Sequence, residues 1–210
     1  MVLPRLSRRA LIGSGIAATA TFTAGLSTAQ EAQMPRLTGD VVKGDPDAPV
    51  TVIEYASFTC PHCKRFHEEV YPQIEANFIE SGKVKFILRE VYFDRYGLWA
   101  GMMARCGGEE RYFGIVDLIF AEQGTWPRSS DPTEVAQNLF AIGRQAALSD
   151  QEMDACLQDA DWAKSLVEDY QKNAETDSVT GTPSFVINGE KYGNMGYGEF
   201  ERVLNEKLGS

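Results

Sequence analysis

Long apolar runs, histidine and positive charge are what this sequence has least of. No uninterrupted apolar stretch of about 18 residues occurs, so no segment of the chain reads as an obvious membrane span. Histidine appears only at 62 and 67, and neither histidine nor methionine is gathered into a metal-handling tract. Lysine and arginine number 20 against 30 acids, a formal net charge of −10. Such an acidic surface excludes nucleic acid or an anionic membrane as the main partner. There is no internal repeat and no low-complexity run, so solenoids and linkers are excluded too. Cysteine is sparse, with four in 210 residues. A chain of this size buries roughly 70% of its unfolded surface and does not need disulfides in order to fold. The four cysteines therefore need another explanation.

The first 29 residues read as an export signal rather than as part of the fold. Arg5, Arg8 and Arg9 make a basic start, Leu11 to Leu26 is mildly apolar, and Ser27-Thr28-Ala29 offers small residues for cleavage after Ala29. Ser7-Arg8-Arg9-Ala10-Leu11-Ile12 is similar to a twin-arginine signal, the alternative being an ordinary secretory signal with two adjacent arginines. Cleavage would remove three arginines and no acid, making the mature chain still more acidic. The expected location is periplasmic.

Residues 30–49 are polar and turn-rich and read as an N-terminal tether with an edge strand near Val41-Val42. Val50 to Phe58 is a buried-strand candidate. After Pro61, Phe66, Val70, Ile74 and Phe78 recur every four residues, the stripe of a helix with one buried side. Pro72 falls inside that helix and is expected to kink it. Val84 to Val91 is a second strand, and Arg89 and Glu90 read as its solvated end. From Tyr96 to Ala174 the pattern is helical. Asp131-Pro132-Thr133-Glu134 and Ser149-Asp150-Gln151-Glu152 mark two helix starts within it, the second a capping box. Trp99, Met102, Met103, Tyr112, Phe113 and Phe120 read as its core. Ser184 to Ile187 is a strand, Asn188-Gly189 a hairpin turn into Lys191-Tyr192, and Phe200, Val203, Leu204 and Leu208 line a closing helix. The class is α/β: β-α-β followed by β-β-α, over residues 50–95 and 175–210, with residues 96–174 as a large all-helical insertion.

The chemistry concentrates at Cys60-Pro61-His62-Cys63, where the first buried strand meets a helix. Pro61 suits the first helical position, which makes Cys60 the N-cap and points its sulfur at the free N–H groups of the first turn. There the helix dipole favours thiolate, the species that attacks a disulfide. His62, if protonated or donating a hydrogen bond, would favour it further. Cys63 lies one turn deeper, within reach to close a ring. A zinc half-site is disfavoured because Cys106 and Cys156 form no second pair, and a c-type haem site because Lys64 follows Cys63 where a histidine is required. A purely structural disulfide of this span would be exposed and easily reduced. His67 reads as a partly exposed helix residue.

Val50 to Phe66, with its Cys-Pro-His-Cys core, resembles the active-site segment of DsbA-type thiol:disulfide oxidoreductases. The Gly181-Thr182-Pro183-Ser184-Phe185-Val186-Ile187-Asn188-Gly189 segment resembles their cis-proline loop and following hairpin. The resemblance runs from about Val41 to the C-terminus and implies a thioredoxin-like fold. It makes Cys60 the nucleophile and Cys63 its buried partner. It implies a cis Thr182-Pro183 bond beside them, offering backbone groups to a bound peptide. It matches Glu54 to a buried acid below the cysteines, able to take the proton of Cys63; the bland alternative is a glutamate facing solvent at a strand edge. Some relatives carry a structural disulfide in the helical block, which makes Cys106 and Cys156 a candidate pair.

The implied activity is that of a periplasmic dithiol oxidase acting on reduced, partly unfolded exported proteins, reoxidised by a DsbB-type membrane partner and using no organic cofactor and no metal. Disulfide isomerases and reductases of the same fold are the nearest rivals, since Thr182 resembles their loops as much as those of oxidases. The dimeric isomerases carry a separate dimerisation domain, for which the roughly twenty residues between Ala29 and Val50 are too few. A metal-binding module using the cysteines with Met195 as soft ligands is a more distant alternative, and a glutathione transferase has no use for the cysteine pair.

Overall fold

A computed structural model of the chain describes residues 36–209. The expected export signal, residues 1–29, lies outside them. The strand Val50–Ala56 (β2) is the spine of the sheet. It runs parallel to β3, Val84–Glu90, in a register pairing Val50 with Val84 and Ala56 with Glu90. On its other side it runs antiparallel to β4, Ser184–Ile187, pairing Val52 with Ile187 and Tyr55 with Ser184. Two short strands close the edges: β1, Val42–Lys43, on β3, and β5, Glu190–Tyr192, on β4, giving the order β1-β3-β2-β4-β5. Edges this short leave little backbone open to foreign strands. Asn188 and Gly189 both have positive φ (47° and 83°), as a two-residue turn of the hairpin type requires. Asn188 also ties the hairpin tip to β2, its N–H donating to the Thr51 carbonyl and its Oδ1 accepting from the Thr51 N–H.

The helix after the cysteine motif is broken rather than merely kinked. It runs as α1, Pro61–Glu69, resets at Val70 (φ −112°), resumes as α2, Tyr71–Ile74, and continues as a π-helical turn over Glu75–Ile79. Pro72 has no N–H to offer the Glu68 carbonyl, so the ladder is interrupted there, although the Ile74 N–H still closes an α turn on the Val70 carbonyl. The stripe still points inward, with Phe66, Ile74 and Phe78 buried. The helical block comprises α3 (Arg95–Cys106), α4 (Glu109–Ala121), α5 (Pro132–Gln145), α6 (Asp150–Leu157) and α7 (Ala160–Thr176), and α8 (Tyr197–Leu208) closes the chain. Side-chain caps start four of these helices: Asp94 for α3, Asp131 for α5, Ser149 with Glu152 in a capping box for α6, and Asp159 for α7.

One buried cluster joins the sheet to the block. Val52, Phe86, Leu88 and Phe185 pack with Phe66 and Phe200, and on into Met102, Met103, Tyr112, Phe120 and Ile142. On the opposite side of the sheet Tyr55, Val91 and Val186 are covered by Tyr170 and Ala174 of α7. Trp99, expected in the core, is only partly buried and borders a surface groove with Phe140 and Leu157.

The end of β3 also corrects the sequence reading, because it is covered rather than solvated. Glu90 is 4% exposed and takes a two-pronged ion pair from Arg105 of α3, at 2.8 and 2.6 Å, plus the Tyr112 hydroxyl at 2.8 Å. Arg89 reaches Asp40, the Tyr55 hydroxyl and Asp177. Helices and the N-terminal segment lie over both sides of the strand here, so neither residue of the alternating pair is free. That N-terminal segment is itself anchored: Arg36 pairs with Asp159 at 2.8 Å and stacks on Trp162. Cys106 of α3 and Cys156 of α6 are bonded, Sγ to Sγ, at 2.06 Å.

Candidate active site

Cys60 is placed by contacts from three directions. Its N–H donates to the Ser57 carbonyl at 3.0 Å as β2 turns into α1, and Pro61 takes the first helical position behind it. From the helical block, Gln123 Nε2 donates to the carbonyls of Phe58 and Cys60 at 2.8 and 2.9 Å. The Thr59 hydroxyl donates to Asp94, the cap of α3, at 2.6 Å. From the far side, Cys60 Sγ lies 3.5 Å from the carbonyl oxygen of Thr182, and the Thr182-Pro183 peptide is cis. Gln123 has no motif to announce it. It becomes visible only on asking what satisfies the carbonyls of a loop pressed against the helical block.

The two sulfurs differ in environment. Cys60 is partly exposed and Cys63 fully buried. The Cys63 thiol, the Thr182 side chain and the backbone N–H groups of Cys63 and His62 hydrogen-bond the Cys60 sulfur and outweigh its partial burial, lowering its pKa from 9.0 to about 5. Cys63 moves the other way, held protonated by its bond to Cys60, by burial and by the negative charge of Glu54. His62 therefore acts through its backbone. Its exposed ring points along a groove shared with Arg65, Phe66, Met195 and Gly196, and is not among the groups that lower the Cys60 pKa.

Below the cysteines Glu54 is 0% exposed, in the central strand between Leu88 and Phe185, so the solvent-facing alternative is excluded. Its Oε2 lies 2.8 Å from His67 Nε2. His67 is thus not a partly exposed helix residue. It is 9% exposed, between the rings of Phe120, stacked at 4.1 Å, and Tyr71, at 4.9 Å. Glu54 Oε1, His67 Nδ1 and the Tyr71 hydroxyl are the buried side-chain atoms, among the described residues, that find no hydrogen-bond partner in the protein. Each costs about 1–3 kcal/mol relative to a satisfied group, and all three lie in this one cluster. Among the described residues no group of three or more His, Cys, Asp or Glu side chains is placed to hold a metal ion.

A strand turning into a helix capped by a low-pKa cysteine, a buried partner one turn on, and a cis-proline loop against both define a thioredoxin-type site, and comparison with known proteins agrees. The family model described as Thioredoxin matches residues 37–206, and the chain belongs to that family. Within it, the likeness is to DsbA-type proteins. Wolbachia pipientis alpha-DsbA1 superposes with a TM-score of 0.74 at 29% identity, covering 84% of this chain and 94% of that one. BdbD of Bacillus subtilis, at 22% identity and a TM-score of 0.72 over 81% and 94% of the two chains, shares the fold. A Rickettsia bellii protein, named as a candidate protein-disulfide oxidoreductase, is 28% identical over 170 residues, 80% of this chain and 64% of its own length. The present chain thus spans a little under two thirds of that relative.

Proposed function

We propose that the chain is a thiol:disulfide oxidoreductase working as a dithiol oxidase on exported proteins. The observation that carries the reading is the asymmetry of the pair: a partly exposed Cys60 whose pKa is lowered to about 5, above a buried Cys63 kept protonated. In the oxidised enzyme a client thiolate attacks Cys60 Sγ. The Cys60–Cys63 bond breaks, a mixed disulfide forms, and Cys63 leaves as thiolate and takes up a proton, for which Glu54 is the nearby acid. A second client thiolate then attacks the client sulfur and expels Cys60. A thiol of low pKa is a good leaving group, so this step is fast and the couple is oxidising. Two electrons pass from client to cysteine pair, and a disulfide oxidant, in an exporting cell a DsbB-type membrane partner, removes them. The Thr182-Pro183 loop offers its backbone to the client chain.

The N-terminal export pattern and the DsbA likeness support a periplasmic location, and the Cys106–Cys156 pairing suits an oxidising compartment. The test is equilibration with glutathione buffers, reading the thiol state of Cys60 and Cys63. An oxidase gives a potential near about −120 mV. A value near about −270 mV contradicts the oxidase reading and assigns the site to a reductase.

A further inference from the structure

We propose that His67 is a positioning residue that carries the Cys63 proton between the buried Glu54 carboxylate and solvent, through a side groove separate from the opening at Cys60. The inference rests on the reading of Cys63 as the resolving thiol and adds the route of its proton. Glu54 is fully buried in the central strand, out of reach of bulk solvent. Among the described residues its side-chain hydrogen-bond partner is His67 Nε2, at 2.8 Å. Glu54 Oε1 and His67 Nδ1, both buried, are the atoms of this pair without a hydrogen-bond partner among the described residues. His67 stands one turn beyond Cys63 on α1 and lines a groove of about 180 Å³, with Tyr71, Glu75, Asp117 and Phe120, that holds neither cysteine nor the Thr182-Pro183 loop. An imidazole takes a proton at one nitrogen while giving one up at the other, so charge crosses the ring without the ring leaving its stack between Phe120 and Tyr71.

Titratable groups from each neighbouring element face His67 or line its groove. Glu54 comes from β2, Tyr71 from α2, and Glu75 from the π-helical turn. Asp117 comes from α4, its pKa raised by burial and drawn back by Lys43 and His67. Cys63 and Glu68 lie on the same helix, and Lys43 of β1 pairs with Glu75. During reoxidation Cys63 attacks Cys60 Sγ in the mixed disulfide. The Cys60–Cys63 bond forms, the bond to the oxidant's sulfur breaks, and that sulfur leaves with the electron pair as thiolate. The proton of Cys63 passes to Glu54 and out through His67; when a client is oxidised it returns by the same path.

The experiment uses the reduced protein with Cys106 and Cys156 paired, glutathione disulfide as oxidant, acid quenching and intact-mass readout between about pH 5 and 8, for wild type, His67→Phe and His67→Gln. Phe keeps the aromatic stack; Gln keeps a hydrogen bond to Glu54 but has no second ring nitrogen to pass a proton on. In both variants the mixed disulfide at Cys60 should form within about twofold of the wild-type rate, while ring closure by Cys63 slows about tenfold to a hundredfold, less so at higher pH where hydroxide accepts the proton. Wild-type closure in either folded variant, or closure slowed equally at every pH, overturns the proposal and leaves His67 a packing residue. If the wild-type protein forms no mixed disulfide at Cys60, the functional reading itself fails and takes the inference with it.

Discussion

Oxidising the Cys60–Cys63 pair removes a thiolate that folding stabilises, and the loss should be measurable as a pH-dependent gap in stability between the two redox forms. The Cys60 pKa is 9.0 in an ordinary thiol and about 5 in the fold. A lowered folded pKa means stabilisation that is full above 9.0 and lost as the pH falls through about 5. At pH 7 the folded thiol is almost fully ionised and the unfolded one about 1% ionised, a hundredfold difference worth about 2.7 kcal/mol before screening. The sulfur is partly exposed, so solvent cuts this roughly in half, to about 1–1.5 kcal/mol. For a domain of this size that is about 3–5 °C in Tm. The entropic effect of the small disulfide ring does not change with pH, so the slope isolates the thiolate. Cys63, whose pKa is raised in the fold, titrates around 9.0 in the unfolded chain and so contributes almost nothing below pH 8. The assay is calorimetry of both forms from about pH 4 to 8 with Cys106–Cys156 intact. The reduced form should gain about 3–5 °C on the oxidised form between about pH 4 and 7, and more by pH 8; a gap that does not change with pH refutes the reasoning.

Two further outcomes concern the joint between sheet and helical block. Arg105→Ala leaves Glu90 buried without its cation and should cost about 3–5 kcal/mol by denaturant titration, whereas replacing both partners with apolar residues of similar volume should cost far less. Cys106→Ala with Cys156→Ala opens a loop with a sequence separation of 50 and should cost about 4 kcal/mol at most, lowering Tm without changing the thiol state of Cys60 and Cys63.

Features written in neighbouring residues were readable from the chain. Pro61 after Cys60, Asp131 before Pro132, Ser149 with Glu152 and Asn188-Gly189 each specify a local geometry, and the element order followed from them. Features made by distant segments were not. His67 lies beside the Phe66-Ile74-Phe78 stripe, and a flanking residue of that kind is buried or exposed according to what is laid over it; here that is Phe120 of α4. Arg89 and Glu90 alternate, which in a half-covered strand puts one of them in water. Both are covered because α3, α7 and the N-terminal segment meet at that end of the sheet. The break at Val70 was foreshadowed by Pro72, but the π-helical turn after it depends on how Ile74 and Phe78 seat in the core.

The account turns on Cys60 being a thiolate at neutral pH, and its alkylation rate tests that most directly. Reduced protein with Cys106 and Cys156 paired is treated with iodoacetamide across a pH series, and mass addition at Cys60 is followed. The rate should reach half its plateau near the lowered pKa of about 5 and stay flat through neutrality. A rate that is negligible at pH 7 and rises only near the ordinary thiol value of 9.0 contradicts it.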